Sequence, residues 1–198
     1  RTFVDENVYG NLTDWMSHLG IEKTEAMAQS FLTKVNQTVR VNTTRTTIEA
    51  VIAKLQDEGF EVEQDHDIAE CLHIKGNTII ESRIFKDGLV SIQDKSSMFV
   101  ANILAPEPGD SVLDACSAPG GKACHIAELM ANQGQVDATD IHEHKIELIN
   151  FNKRKLRLSN ILSYQHDATQ KYDKVYDKIL VDAPCSGLGV LSHKPEIK

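Results

Sequence analysis

Apolar positions follow two regimes along this chain, and the change falls at Ala105-Pro106-Glu107-Pro108-Gly109-Asp110. Two prolines and a glycine interrupt the hydrophobic pattern there and predict a linker or tight loop. Before it, residues 12–19 and 24–35 read as short helices and 38–42 as an extended segment. Ile48, Val51, Ile52 and Leu55 share one helical stripe. Thr46 with Glu49 three residues later fits a capping box at its start, and Gly59 ends it. Residues 60–63 and 71–74 are predicted strands, and Asp87-Gly88 is a hairpin-turn signal leading into 89–92. Residues 1–105 thus read as a small α+β module, packed on the remainder of the chain through a helix over 95–104.

After the linker, strands and helices alternate. Strands are expected over 111–115, 135–139, 161–164 and 178–181, with helices over 121–130 and 144–158. This pattern predicts an α/β fold, a Rossmann-like parallel sheet over residues 106–198 whose strands are joined by right-handed crossovers. Such sheets bind ligands outside the carboxyl ends of their strands.

The turn after the first of these strands reads Asp114-Ala115-Cys116-Ser117-Ala118-Pro119-Gly120-Gly121-Lys122. Glycines let a ligand approach the backbone, and the helix that comes next offers free amides and a partial positive charge to a carboxylate or phosphate. A phosphate-binding P-loop would need glycine at 116 and Ser or Thr at 123, where Cys116 and Ala123 stand. A dinucleotide fingerprint needs three spaced glycines, and only Gly120 and Gly121 are present. Asp140 ends the second strand, where a carboxylate can accept both hydroxyls of a ribose. Asp167 follows the third strand and Asp182 the fourth. Singly, each is an ordinary loop aspartate; together they converge on one cleft at one sheet edge.

Charge and composition narrow the class. A net charge of −8 excludes a surface that is basic throughout. The one basic run, Lys153-Arg154-Lys155-Leu156-Arg157, reads as a solvated helix end or a local nucleic-acid contact. Four cysteines without a Cys-x-x-Cys pair point to reduced thiols. His142 and His144 are two apart, on different faces if helical, so no metal site is expected. There is no apolar run of membrane-spanning length and no basic-then-apolar leader, so a cytoplasmic protein with no membrane partner is the expectation. A chain running from Arg1 to Lys198 without an initiator methionine reads as a piece of a longer protein.

Asp114 to Lys122 together with Asp182-Ala183-Pro184-Cys185-Ser186-Gly187 resembles the RNA (cytosine-5) methyltransferases of the bacterial RsmB and eukaryotic NSUN group. Arg40-Val41-Asn42, the helix after it and Gln93-Asp94-Lys95-Ser96-Ser97 extend the resemblance over nearly the whole chain. The resemblance implies a cofactor, S-adenosyl-L-methionine, and an RNA partner, 16S rRNA. It assigns Cys116, Ser117, Ala118, Pro119, Gly120, Gly121 and Lys122 to the methionine part, Asp140 to the ribose and Asp167 to the adenine amino group. Asp182 would lie between cofactor and target base. In that family a cysteine thiolate adds to C6 of a flipped cytosine, and C5 then takes the methyl group. Cys185 matches the second cysteine, which assists product release, whereas the nucleophile belongs to a later Thr-Cys-Ser motif that residues 1–198 do not contain.

Two alternatives are compatible with these residues. One is a non-catalytic scaffold that binds S-adenosylmethionine or RNA; the other is a dinucleotide-dependent enzyme. Strand 178–181 is also expected to leave an apolar edge open to self-association.

Overall fold

The computed structural model describes residues 17–18, 20–24, 37–76 and 78–183. Most of the helices expected over 12–19 and 24–35 lie outside these residues, as does Cys185. The compact unit of residues 36–183 contains two four-stranded sheets.

The first sheet is antiparallel and comprises β1 (Gln37–Val41), β2 (Glu61–Gln64), β3 (Cys71–Lys75) and β4 (Val90–Ile92), in the order β2-β3-β1-β4. Its apolar face buries Val39, Val41, Leu72, Ile74 and Val90 against Val51 and Leu55 of helix α1 (Ile48–Asp57). Strand alternation sends Arg40, Asn42 and Cys71 to the other face.

Two local expectations change. The cap of α1 is Thr47, whose hydroxyl accepts from the Ala50 amide at 3.3 Å, so Thr46 and Glu49 do not form the capping box. Glu49 instead sits in the first turn, where the helix dipole favours a carboxylate. Asp87-Gly88 does not turn a hairpin: it ends a one-turn helix, α2 (Arg83–Lys86), capped by Ser82. Gly88 takes φ +68°, Leu89 donates back to the Ile84 carbonyl, and β4 pairs with β1.

The second sheet is parallel throughout. It comprises β5 (Ser111–Asp114), β6 (Gln135–Asp140), β7 (Ile161–Gln165) and β8 (Lys178–Leu180), in the order β7-β6-β5-β8. Helix α3 (Lys95–Leu104) leads into it, and α4 (Gly121–Leu129) and α5 (Glu143–Leu156) join its first three strands. Val112, Val136 and Ala138 bury against Ala123, Ile126, Ala127 and Ile149. The chain order reverses between β5 and β8, which makes their carboxyl ends the switch-point crevice of the fold. β8 pairs only with β5 among the described residues and leaves Ile179 and Val181 exposed. Among the described residues no helix is long and apolar enough to cross a membrane.

The two sheets meet through polar contacts. Asn42 Nδ2 donates to the Leu156 carbonyl at 3.0 Å, satisfying an acceptor in the last turn of α5. Lys155 Nζ lies 3.1 Å from the Phe85 ring centroid, beside the Gly88 turn that Arg45 braces from within the antiparallel part by donating to the Asp87 and Gly88 carbonyls. A side chain at Gly88 would collide with the Lys155 carbonyl oxygen. Its positive φ adds strain for any other residue. Gly88→Ala is therefore expected to destabilise the chain by more than about 1 kcal/mol, seen in calorimetry as a melting temperature lower by at least about 2 °C; an unchanged melting temperature would show that the two sheets do not pack this closely.

Candidate cofactor site

The crevice is built from the turn between β5 and α4. The Ala115 amide donates to the Leu180 carbonyl at 3.0 Å and the Ser117 amide to the Thr139 carbonyl at 2.7 Å. The turn is thereby stitched to β8 on one side and to β6 on the other. Gly120 caps α4 with φ +98°, and a Cβ there would lie 3.1 Å from Ile149 Cα. This glycine is required by its backbone conformation and by the approach of α5, not by a ligand. Gly121 differs, since a Cβ there would meet nothing within 4 Å. The first-turn amides of α4 lack helical acceptors and face this opening with the positive end of the helix.

Four aspartates follow the four strands at this edge. Asp114 is buried, and neither carboxylate oxygen has a well-formed hydrogen bond. Burial pushes its pKa up to about 6; the nearby Ser117 hydroxyl and Lys122 pull it down, and Asp182 pushes it up. Lys122 Nζ lies 2.6 Å from Asp182 Oδ2, so the motif lysine spans the crevice from α4 to the end of β8. Asp140 is mostly buried; its Oδ1 accepts from the His142 amide at 3.0 Å, and Lys145 Nζ stands 3.8 Å away.

The Cys116 thiol records this convergence. Its pKa is raised by burial and then by Asp114, Asp140 and Asp182, with Lys145 opposing. Asp167 is not among these influences. Its Oδ1 closes a turn by accepting from the Thr169 amide at 2.9 Å and the Thr169 hydroxyl at 2.8 Å, which lowers its pKa. Ala118 and Pro119 form the outer bend of the turn, and the Pro119 carbonyl accepts from Asn152 at 2.8 Å. The structure thus groups Asp114, Cys116, Ser117, Lys122, Asp140 and Asp182, with Asp167 farther along the same edge.

Sequence reasoning places Asp114 in the motif but gives it no role. Its signal was position, since a carboxylate ending the central strand of a parallel sheet has no solvent to enter. Thr139 and Tyr172 were also missed. Their hydroxyls lie 2.9 Å apart, and the Tyr172 ring packs against His166, beside Asp167, with centroids 4.0 Å apart and the planes tilted by 43°. No motif marks that pair. His142 caps α5 from outside the helix, so the opposite-face argument for His142 and His144 fails and their rings lie 5.5 Å apart.

Among the described residues, one cluster of donor atoms lies elsewhere: Asp65, Cys71 and His73. Asp65 Oδ2 already accepts from His73 at 2.7 Å and pairs with Lys95 Nζ at 2.9 Å. Through this carboxylate Lys95 ties the β2–β3 turn to α3.

Comparison with known proteins gives this geometry a family. The profile described as "16S rRNA methyltransferase RsmB/F" matches residues 101–198, and that of the "RsmF/B-like, ferredoxin-like domain" matches residues 12–81. The chain belongs to the RsmB/F family. The probable ribosomal RNA small subunit methyltransferase B of Bacillus subtilis (strain 168) is 40% identical over 93% of this chain and 42% of its own length. That of Synechocystis sp. (strain ATCC 27184 / PCC 6803 / Kazusa) is 33% identical over 93% and 44%. The chain spans less than half the length of these relatives. A methyltransferase homologue from Pyrococcus horikoshii superposes with a TM-score of 0.79 at 27% identity, covering 91% of this chain and 65% of that one. NSun6 from the same organism, crystallised with SFG, shares the fold with a TM-score of 0.83 at 20% identity, over 89% and 70%. The antiparallel sheet is the ferredoxin-like part of this RsmB/F architecture, and the parallel sheet its methyltransferase part.

Asp114 carries a testable electrostatic cost. Its folded pKa of about 6 lies above the ordinary 3.8, so the folded state holds the proton more tightly and the charged form destabilises it at higher pH. Asp114→Asn is expected to stabilise the chain above pH 6 by up to about 3 kcal/mol, with the gain vanishing below about pH 4. Calorimetric melting of both proteins from pH 4 to 8 checks this; a gain independent of pH would show that Asp114 is not a buried, raised carboxyl.

Proposed function

We propose that this chain supplies the S-adenosyl-L-methionine site of an RNA (cytosine-5) methyltransferase acting on 16S rRNA. The observation that carries the reading is the buried Asp114 carboxylate, held only by weak contacts to the Ser117 hydroxyl and the Cys116 amide, at the bottom of a glycine turn that also presents helix amides. S-adenosylmethionine brings an ammonium and a sulfonium, which suit the carboxylate, and a carboxylate, which suits the amides. The residues present therefore fit the group. Asp114 would take the ammonium, Gly121 and its neighbours the carboxylate end, and Asp140 the ribose hydroxyls. The Asp167 loop with His166 and Tyr172 would face the adenine. When bound, the cofactor supplies an electrophilic methyl group.

Asp182 and Lys122 form the side of the crevice that a target base would approach, and their 2.6 Å contact orients the Asp182 carboxylate as an acceptor for cytosine. Cys185, in the adjoining motif, keeps its proposed role in product release. No described thiol is poised to act as nucleophile: burial pushes Cys71 up to about 11 and Cys124 up to about 12, and Cys116 is also raised. This supports a chain that binds the methyl donor without turning it over. The RNA reading is supported by the cluster of Arg45, Lys155 and Arg157, which lies where the two sheets meet; burial, and after it the nearby Arg157, lower the Arg45 pKa. Such a local positive patch on an acidic chain suits a phosphate backbone.

Titration calorimetry with S-adenosylhomocysteine tests the proposal. The wild-type chain is expected to bind it, Asp140→Ala to weaken it at least about tenfold, and labelled S-adenosylmethionine with 16S rRNA fragments to give no methyl transfer. Binding of NAD without S-adenosylhomocysteine would refute the cofactor assignment, and turnover would refute the assignment of the nucleophile to a motif outside these residues.

A further inference from the structure

Helix α4 touches both sheets, and its two sides are built differently. Ala123, Ile126, Ala127 and Met130 pack into the apolar core of the parallel sheet. Gly121, His125 and Glu128 fall at spacings of four and three, on one stripe, and each makes a polar bond to the antiparallel part. Arg40 Nε donates to Glu128 Oε2 at 2.8 Å and its Nη2 to Oε1 at 3.0 Å, a bidentate pair. Arg40 Nη1 donates to the Gly121 carbonyl at 3.1 Å and also to Gln93 Oε1. His125 Nε2 bonds Glu70 Oε1 at 2.9 Å. Burial keeps His125 neutral, with its pKa pushed down to about 4, so Nε2 carries the proton and donates.

Hydrophobic packing is non-directional, so the apolar side alone lets α4 slide or rotate by a fraction of a turn at little cost. Hydrogen bonds at both ends of the opposite stripe remove that freedom. Arg40 is fully buried, and among the described residues it is the one side chain bonded both to the first residue of α4 and to a residue in its last turn. The Gly121 carbonyl belongs to the peptide whose amide side is the Lys122 nitrogen, so holding that oxygen orients an amide at the mouth of the crevice.

We propose that Arg40 is a positioning residue for the cofactor turn, fixing the rotation and axial position of α4 through the Gly121 carbonyl and Glu128, so that the antiparallel sheet is a working part of the cofactor site. This rests on the reading of that turn as the S-adenosylmethionine site. The sheet contributes without touching the ligand. A plain stabilising role for Arg40 would alter melting alone, whereas positioning alters affinity in protein that is still folded.

The test uses the full chain and S-adenosylhomocysteine calorimetry at a temperature where circular dichroism shows each variant folded. Arg40→Lys keeps the charge opposite Glu128 but loses the fork that also reaches Gly121. It is expected to weaken binding about tenfold or more and to shift the amide resonances of Gly121 and Lys122. Leu72→Ala, in the core of the same sheet, is expected to lower the melting temperature and leave affinity within twofold. Should Arg40→Lys not fold, Gln93→Leu, which frees Arg40 Nη1, is expected to give a smaller loss in the same direction. Equal affinity in folded Arg40→Lys and wild type, or an equal loss in Leu72→Ala, overturns the proposal. A wild-type chain that binds no S-adenosylhomocysteine overturns the cofactor reading and this inference together, whereas wild-type binding with an indifferent Arg40 variant overturns the inference alone.

Discussion

A buried guanidinium between two sheets is the constraint on which the rest of this structure depends. Arg40 leaves β1 on the face opposite the hydrophobic core and meets Glu128, Gln93 and the start of the glycine-turn helix. Burial pushes the Glu128 carboxyl up and Arg40 holds it down, so neither partner is stable there without the other. A well-packed apolar contact could give comparable or greater stability at such a place. What it could not give is direction. A methyl donor has to be held with its sulfonium aimed along one line, and that demands a helix whose rotation is fixed by bonds with preferred angles.

The same trade appears inside the crevice. Asp114 sits in the sheet centre as a carboxylate without a well-formed partner, at a cost the fold carries when no cation is bound. Lys122 is close enough to help but is committed to Asp182 at 2.6 Å. The crevice therefore gathers more carboxylates than cations, which suits the cationic methyl donor proposed for it. The Cys116 thiol in the same region has its pKa raised by burial and then by the surrounding carboxylates.

Much of the architecture was legible because periodicity is local. Every strand and helix read between residues 38 and 181 exists with ends within one or two residues, since buried faces force alternation or a helical stripe. The errors were also local. Asp87-Gly88 suits a hairpin and a helix end equally, and only the pairing of β4 with β1 separates them. Thr46 and Thr47 offer the same hydroxyl one residue apart. Asp140 and Asp182 could be placed because strand ends in a parallel sheet share an edge. The Arg40 contacts could not be seen, because 88 residues separate Arg40 from Glu128 and no pattern in either segment names the other. Asp114 was visible as a letter, but its lack of a partner is a property of the folded surroundings.

The most direct measurement is the amide spectrum of the full chain titrated with S-adenosylhomocysteine. The largest shift changes are expected on residues 114–122 and 140–142, then on the Asp167 loop and Asp182, with smaller changes reaching Arg40 through α4. Shift changes concentrated away from the carboxyl ends of β5 and β8, or none at saturating ligand, would contradict a methyl-donor site in this crevice.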